Sequence, residues 1–152
     1  MSRFKRIAKW TLVVLSLVFV SIQFVPVDRT NPPVESDVPA TIEERAVLRR
    51  SCYDCHSNET VWPWYSYVAP VSWLVANDVF EGRENLNFST WNRMTSEEQI
   101  EALHECWEMV DEGEMPLWIY LPTHPDARPS AQDKAVLRAW SQSQGGADSD
   151  ED

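Results

Sequence analysis

The chain has 152 residues, room for one domain with an appended segment, and 43% of them are apolar, so it can bury a core. Its net charge is −11, although Arg3, Lys5, Arg6 and Lys9 stand together at one end with no acid among them. The acidic remainder would be repelled by a phosphate backbone, which excludes nucleic acid as a partner; the charge serves solubility and would suit a basic docking partner.

The basic cluster leads into "IAKWTLVVLSLVFVSIQFV", residues 7–25, of which 10–25 carry no charge. That run approaches the roughly 20 residues needed to cross a bilayer core. It predicts one N-terminal transmembrane helix, with the basic end in the cytoplasm and the rest exported to the bacterial periplasm. No small-residue cleavage site follows and no cysteine lies near the end of the run, so the expected anchor is uncleaved. Residues 1–25 are therefore read as cytoplasmic end and inner-membrane anchor, and the proline-rich 26–39 as a linker. Residues 40–143 are read as the domain and 144–152 as a disordered acidic tail.

Within the domain the pattern predicts four helices. Thr41 caps the first and Glu44 closes a capping box; Ile42, Ala46 and Leu48 suggest its apolar side as it runs into Cys52. The second follows Pro70, with Val71, Leu74, Val75 and Val79 at helical spacing. The third starts at Thr95 or Ser96, carries the stripe Ile100, Leu103, Trp107 and Val110, and stops at Gly113. The fourth starts at Ser130 with Asp133 in its first turn, lines Val136, Leu137 and Trp140 on one face and ends at Gly145. The connections are irregular and rich in Pro, Trp and Tyr, and no strand pair is apparent. The expected class is all-α with long irregular loops.

Between the first two helices lies "SCYDCHSN", residues 51–58, which packs Cys52, Cys55 and His56 into five positions. A zinc site needs four ligands, and His104, Cys106 and His124 are not spaced to complete one. A thioredoxin-like pair would follow a strand in a βαβ unit, which is absent here. A disulfide across so short a loop would stabilise little. The spacing suits covalent c-type haem attachment. Two thiols reach one edge of the ring as thioethers, and the adjacent imidazole of His56 reaches the iron as proximal ligand. Export places the motif where such attachment occurs. His56 then needs an acceptor for its other ring nitrogen, expected in the 58–63 loop.

Met94, Met109, Met115, His104 and His124 are the candidates for the sixth iron position. Met115 stands in "EGEMPLW", on a loop just after a helix stop and before a proline, and is the favoured distal ligand; His124, on the rigid "PTHPD" loop, is its rival. Met109 lies well off the apolar stripe and should be exposed. Trp62, Trp64, Tyr65, Tyr67 and Trp73 are expected to pack a haem-containing core. Cys106 is left over as a buried thiol, with disulfide dimerisation the alternative if it is exposed.

The stretch "CYDCHSNETVWPWYSYVAPVSWLVANDVFEGRENLNFSTW", residues 52–91, together with "GEMPLWIYLPTHPDARPSAQD", residues 113–133, resembles the bacterial haem-binding-domain family of small, membrane-anchored or exported c-type cytochrome-like proteins. The likeness spans about residues 42–142. It implies a cytochrome c-like helical fold, haem on Cys52 and Cys55, His56 as proximal ligand and Met115 as distal one. Leu117 stands where family members often carry a second proline, and Cys106 has no counterpart in the pattern. The expected activity is one-electron transfer by a single covalently bound haem c, without catalysis, between periplasmic or membrane redox proteins. The alternatives are a haem-based sensor or peroxidase-like protein with an open or displaceable sixth position, and a haem-free thiol redox module.

Overall fold

A computed structural model describes residues 3–143. They form α1 (Arg3–Ile22), α2 (Ile42–Ser51), α3 (Tyr53–His56), α4 (Val71–Asn85), α5 (Ser96–Glu112) and α6 (Ala131–Ser143), with 3-10 turns at Trp64–Tyr67, Trp91–Arg93 and Pro125–Ala127. Among the described residues there is no strand, only an isolated bridge between Ser36 and Thr90, so the fold is all-α. The expected helix end at Gly145 and the acidic tail lie outside the described residues.

The helix starts follow from their caps. Thr41 Oγ1 accepts from Glu44 N at 3.3 Å while the Glu44 carboxylate accepts from Thr41 N at 2.7 Å. Thr95 and Glu98 repeat this reciprocal box at α5. At α6, Ser130 N donates to Asp133 Oδ2 at 2.8 Å and Asp133 N to Ser130 Oγ at 3.1 Å. Each box satisfies two amides that the helix leaves unpaired. Gly113 ends α5 in the left-handed region, φ 81°, where a side chain would be strained.

The described residues divide into two compact units, one of residues up to 30 with 62–78, the other of 31–61 with those from 79 onward. In the first, α1 has no buried residue. Gln23 bonds both polar atoms of Ala69, donating to its carbonyl at 3.1 Å and accepting from its amide at 2.9 Å. Arg29 Nη1 donates to Ser66 O at 3.1 Å and stacks over the Tyr67 ring. The expected transmembrane helix is corrected here: no helix among the described residues is long and apolar enough to cross a membrane. Two features shorten the span that the sequence suggested. The helix ends at Ile22 rather than at residue 25, and Arg3, Lys5, Arg6 and Lys9 occupy its first turns. The uncharged helical part, residues 10–22, falls short of roughly 20 residues.

The second unit holds the core. Val38, Val47, Leu48, Tyr53, Phe88, Trp91, Leu103, Val110, Leu137 and Trp140 are buried together. They come from α2, α3, α5, α6 and the segments beside them, so the core closes over long chain separations. Trp140 Nε1 donates to Pro39 O at 3.0 Å across 101 residues. Arg50 pairs with Asp133 at 2.8 Å and joins α2 to the start of α6. Residues 31–40 line this unit: Glu35 N donates to Ser89 O at 2.9 Å, and Asp37 accepts from Tyr53 Oη and pairs with Arg45.

Burial corrects two expected faces. Ile42 is 92% exposed, and α2 buries Val47, Leu48 and Ser51 instead. On α4 only Val79 of the expected stripe is buried; Leu74 is 56% exposed. A period alone leaves open which side of a helix meets a neighbour.

Candidate functional site

The Cys-x-x-Cys-His turn is made by two helices meeting at one residue. Cys52 N donates to Leu48 O at 2.8 Å, the last bond of α2; Cys52 O accepts from Cys55 N at 3.2 Å and His56 N at 3.0 Å, the first bonds of α3. Cys52 itself, at φ −127° and ψ −36°, leaves the helical region and is the joint at which the chain turns from one helix into the next. The single turn of α3 therefore gathers both thiols and the imidazole, all three half-buried. The three cysteines form no disulfide.

His56 is held from the end of α4. Its Nδ1 lies 3.1 Å from Leu86 O; a carbonyl only accepts, so Nδ1 carries the proton. The acceptor expected in the 58–63 loop is thus replaced by one from the C-terminal end of α4, where helix carbonyls lack intrahelical donors. Phe88 N donates to His56 O at 2.8 Å, fixing the backbone as well. Burial lowers the His56 pKa first of all, against the carbonyls of Leu86 and Gly82, which raise it. The imidazole is therefore neutral at neutral pH, with Nε2 as the nitrogen left to bind a metal.

Gly82 allows this approach. A Cβ built there would lie 2.7 Å from Cys55 O and 3.1 Å from Cys55 Cβ. One residue on, Arg83 Nε donates to Ser57 O at 2.8 Å and Arg83 Nη2 to Thr60 Oγ1 at 2.8 Å. The buried polar residues behind the turn are bonded in series: Ser57 Oγ donates to Tyr53 O at 2.8 Å, Asn58 N to Ser89 Oγ at 2.9 Å, and Asn87 Nδ2 to Asn58 Oδ1 at 2.9 Å. Such a network fixes the turn because leaving any member unpaired while buried is costly.

Cys52, Cys106 and Met115 all pack against the same core. Burial pushes the Cys52 thiol well above its usual value, with the nearby Cys106 and Cys55 adding to the shift. Burial raises the Cys106 thiol to about 12. Both are therefore neutral thiols. Met115 follows the end of α5, its amide donating to Met109 O at 3.0 Å, and is half-buried. Met109 is 39% exposed and His104 is exposed. The His124 ring lies flat on Tyr120, with centroids 3.9 Å apart and 9° between planes, and its Nδ1 is 3.1 Å from Thr123 Oγ1. Trp62, Trp64, Tyr65, Tyr67 and Trp73 belong to the other unit, where Trp64 and Tyr67 are exposed. Among the described residues no group of three or more His, Cys, Asp and Glu could hold a metal ion by itself.

The chain matches the model of the haem-binding domain over residues 17–143. It belongs to the haem-binding-domain family. No curated protein and no solved structure matches it. The donors present in this haem-binding domain fit the group: two thiols that are in no disulfide and a neutral imidazole with Nδ1 already engaged share one turn. Sequence reasoning missed Gly82, Leu86 and Tyr120. Only Gly82 left a signal, as an isolated glycine inside a helical pattern, which marks a close backbone approach. Leu86 acts through its carbonyl, which any residue carries.

Proposed function

We propose that this haem-binding domain is a monohaem c-type electron carrier rather than a catalyst, with a cytochrome c-like fold, working in the bacterial periplasm. Cys52 and Cys55 would hold one haem through thioether links, His56 Nε2 would be the proximal iron ligand and the Met115 thioether the distal one. Haem, when bound, supplies an iron that gains and loses one electron; a His/Met pair fills both axial positions and raises the potential, which suits transfer rather than ligand chemistry. The observation that carries the reading is the His56–Leu86 bond, because it fixes the tautomer a haem ligand needs on a histidine beside two thiols. The flat stack of His124 on Tyr120 already engages that ring, which favours Met115 over His124. Covalent attachment supports the periplasmic location. The exposed apolar residues of α1, with basic residues at its start, support attachment at the inner-membrane surface. The partners would be periplasmic or membrane redox proteins.

The test is an absorption spectrum of the protein made in a host with c-type maturation, read native and after denaturation. Haem should stay on the denatured chain, and the oxidised protein should show the weak far-red sulfur–iron(III) band. Met115→Ala should abolish that band and give a high-spin or ligand-binding spectrum; an unchanged spectrum removes Met115 from the iron. A high-spin wild-type spectrum that binds CO readily would replace electron transfer by sensing or peroxide chemistry.

A further inference from the structure

Asp54 stands between the two cysteines, and both of its carboxylate oxygens are engaged. Oδ1 accepts from Val61 N at 3.0 Å; Oδ2 accepts from Tyr120 Oη at 2.7 Å, across 66 residues. Tyr120 belongs to the segment that begins at Met115. Beyond the Met115 amide, which bonds Met109 O, the segment's backbone bonds include several within it: Tyr120 N donates to Leu117 O at 2.9 Å, and Thr123 N and His124 N to Tyr120 O, both at 3.2 Å. Pro116 is buried near its start, but its middle is open to solvent, with Trp118 80% and Ile119 51% exposed. The Tyr120 ring is aimed by the flat stack of His124, and its hydroxyl bonds a carboxylate, the stronger kind of hydrogen bond.

We propose that Tyr120 is a positioning residue, whose bond to Asp54 ties the segment bearing Met115 to the turn bearing Cys52, Cys55 and His56. This rests on the haem reading above and adds to it a control on the distal side. With the tie made, Met115 is held in place and small outside ligands are kept from the distal position. With the tie broken, the segment opens more often and an outside ligand competes with the methionine.

The experiment compares wild type, Tyr120→Phe, Asp54→Asn and Thr41→Ala as holoproteins. Tyr120→Phe keeps the ring and its stack but loses the hydroxyl. Asp54→Asn keeps a hydrogen-bonding partner for both Val61 and Tyr120. Thr41→Ala weakens the start of α2, away from the segment, and controls for general loss of stability. The readouts are imidazole affinity of the ferric protein, followed by loss of the far-red band, and amide hydrogen exchange over residues 117–124. Tyr120→Phe should bind imidazole about tenfold more tightly and exchange about tenfold faster in that stretch, the effect of losing one hydrogen bond to a charged group. Thr41→Ala should stay near wild type in both, and Asp54→Asn should fall between wild type and Tyr120→Phe, because its neutral amide keeps a bond to Tyr120 but not the charge. Wild-type behaviour of Tyr120→Phe overturns the proposal, as does an equal effect of Thr41→Ala. If wild type lacks the far-red band, the Met115 assignment fails, and hydrogen exchange alone then decides the tie. If Tyr120→Phe yields no holoprotein, the same exchange comparison is made on the haem-free chains, where an unchanged rate again overturns it.

Discussion

A methyl group at position 82 would meet Cys55 O at 2.7 Å, closer than van der Waals contact allows, and the atoms it meets are mainly backbone. Neither α4 nor the one-turn α3 can yield by moving a flexible side chain, so the turn carrying both thiols would have to shift. Gly82→Ala is therefore expected to destabilise the protein by about 1–3 kcal/mol, as overpacking does, despite alanine's better helix propensity. It should also lengthen the His56–Leu86 bond. Urea denaturation of the haem-free chain measures the first effect, and haem content per purified chain the second. An alanine variant as stable as wild type, with full haem content, would show that α4 does not press on the turn. At this scale the candidates Cys52, Cys55 and His56 stand out in the sequence because they carry distinctive side chains at fixed spacing. The partners that orient them do not, because Leu86 acts through a carbonyl and Tyr120 through a bond to Asp54 spanning 66 residues.

Three of the helices, α2, α5 and α6, start where a hydroxyl and a carboxylate close a box, and α5 shows how that couples to acidity. The Thr95 amide and hydroxyl both donate to the Glu98 carboxylate, and these bonds hold its pKa below the usual 4.5. A carboxyl with a lowered folded pKa stabilises the fold fully above its unfolded value; the contribution is lost as pH falls through the lower folded value. Glu98→Gln keeps an acceptor but does not titrate. Its urea midpoint should fall less than that of wild type between pH 7 and pH 3, and parallel curves would show that the box carries no proton linkage. Caps of this kind are legible because they lie within three residues. What each helix buries is not, since it depends on the neighbour: Ile42 begins α2 yet remains in solvent, while Val47 and Leu48 meet Trp140 and Leu137 in the common core. The N-terminal helix shows the same limit, for counting uncharged residues to 25 missed its end at Ile22.

At the scale of the molecule, 24 acidic residues stand against 13 basic ones. Part of the acid lies in the unit that holds the cysteines: Leu103 and Val110 turn the apolar side of α5 inward and leave Glu97, Glu101, Glu105, Glu108, Asp111 and Glu112 exposed. A net negative field raises the local concentration of cations and lowers that of anions, and salt screens both over about 10 Å at 0.1 M. The ferrous holoprotein should therefore be oxidised faster by a cationic cobalt complex than by an anionic iron cyanide complex, once driving force is matched. Added salt should slow the first reaction and speed the second. Stopped-flow rates across a salt series read both slopes. Slopes near zero for both reagents would place the acidic residues beyond electrostatic reach of the bound haem, leaving solubility as their role. Slopes of the expected signs would mark a basic surface as the complement the proposed carrier meets, because reagent and partner feel the same field.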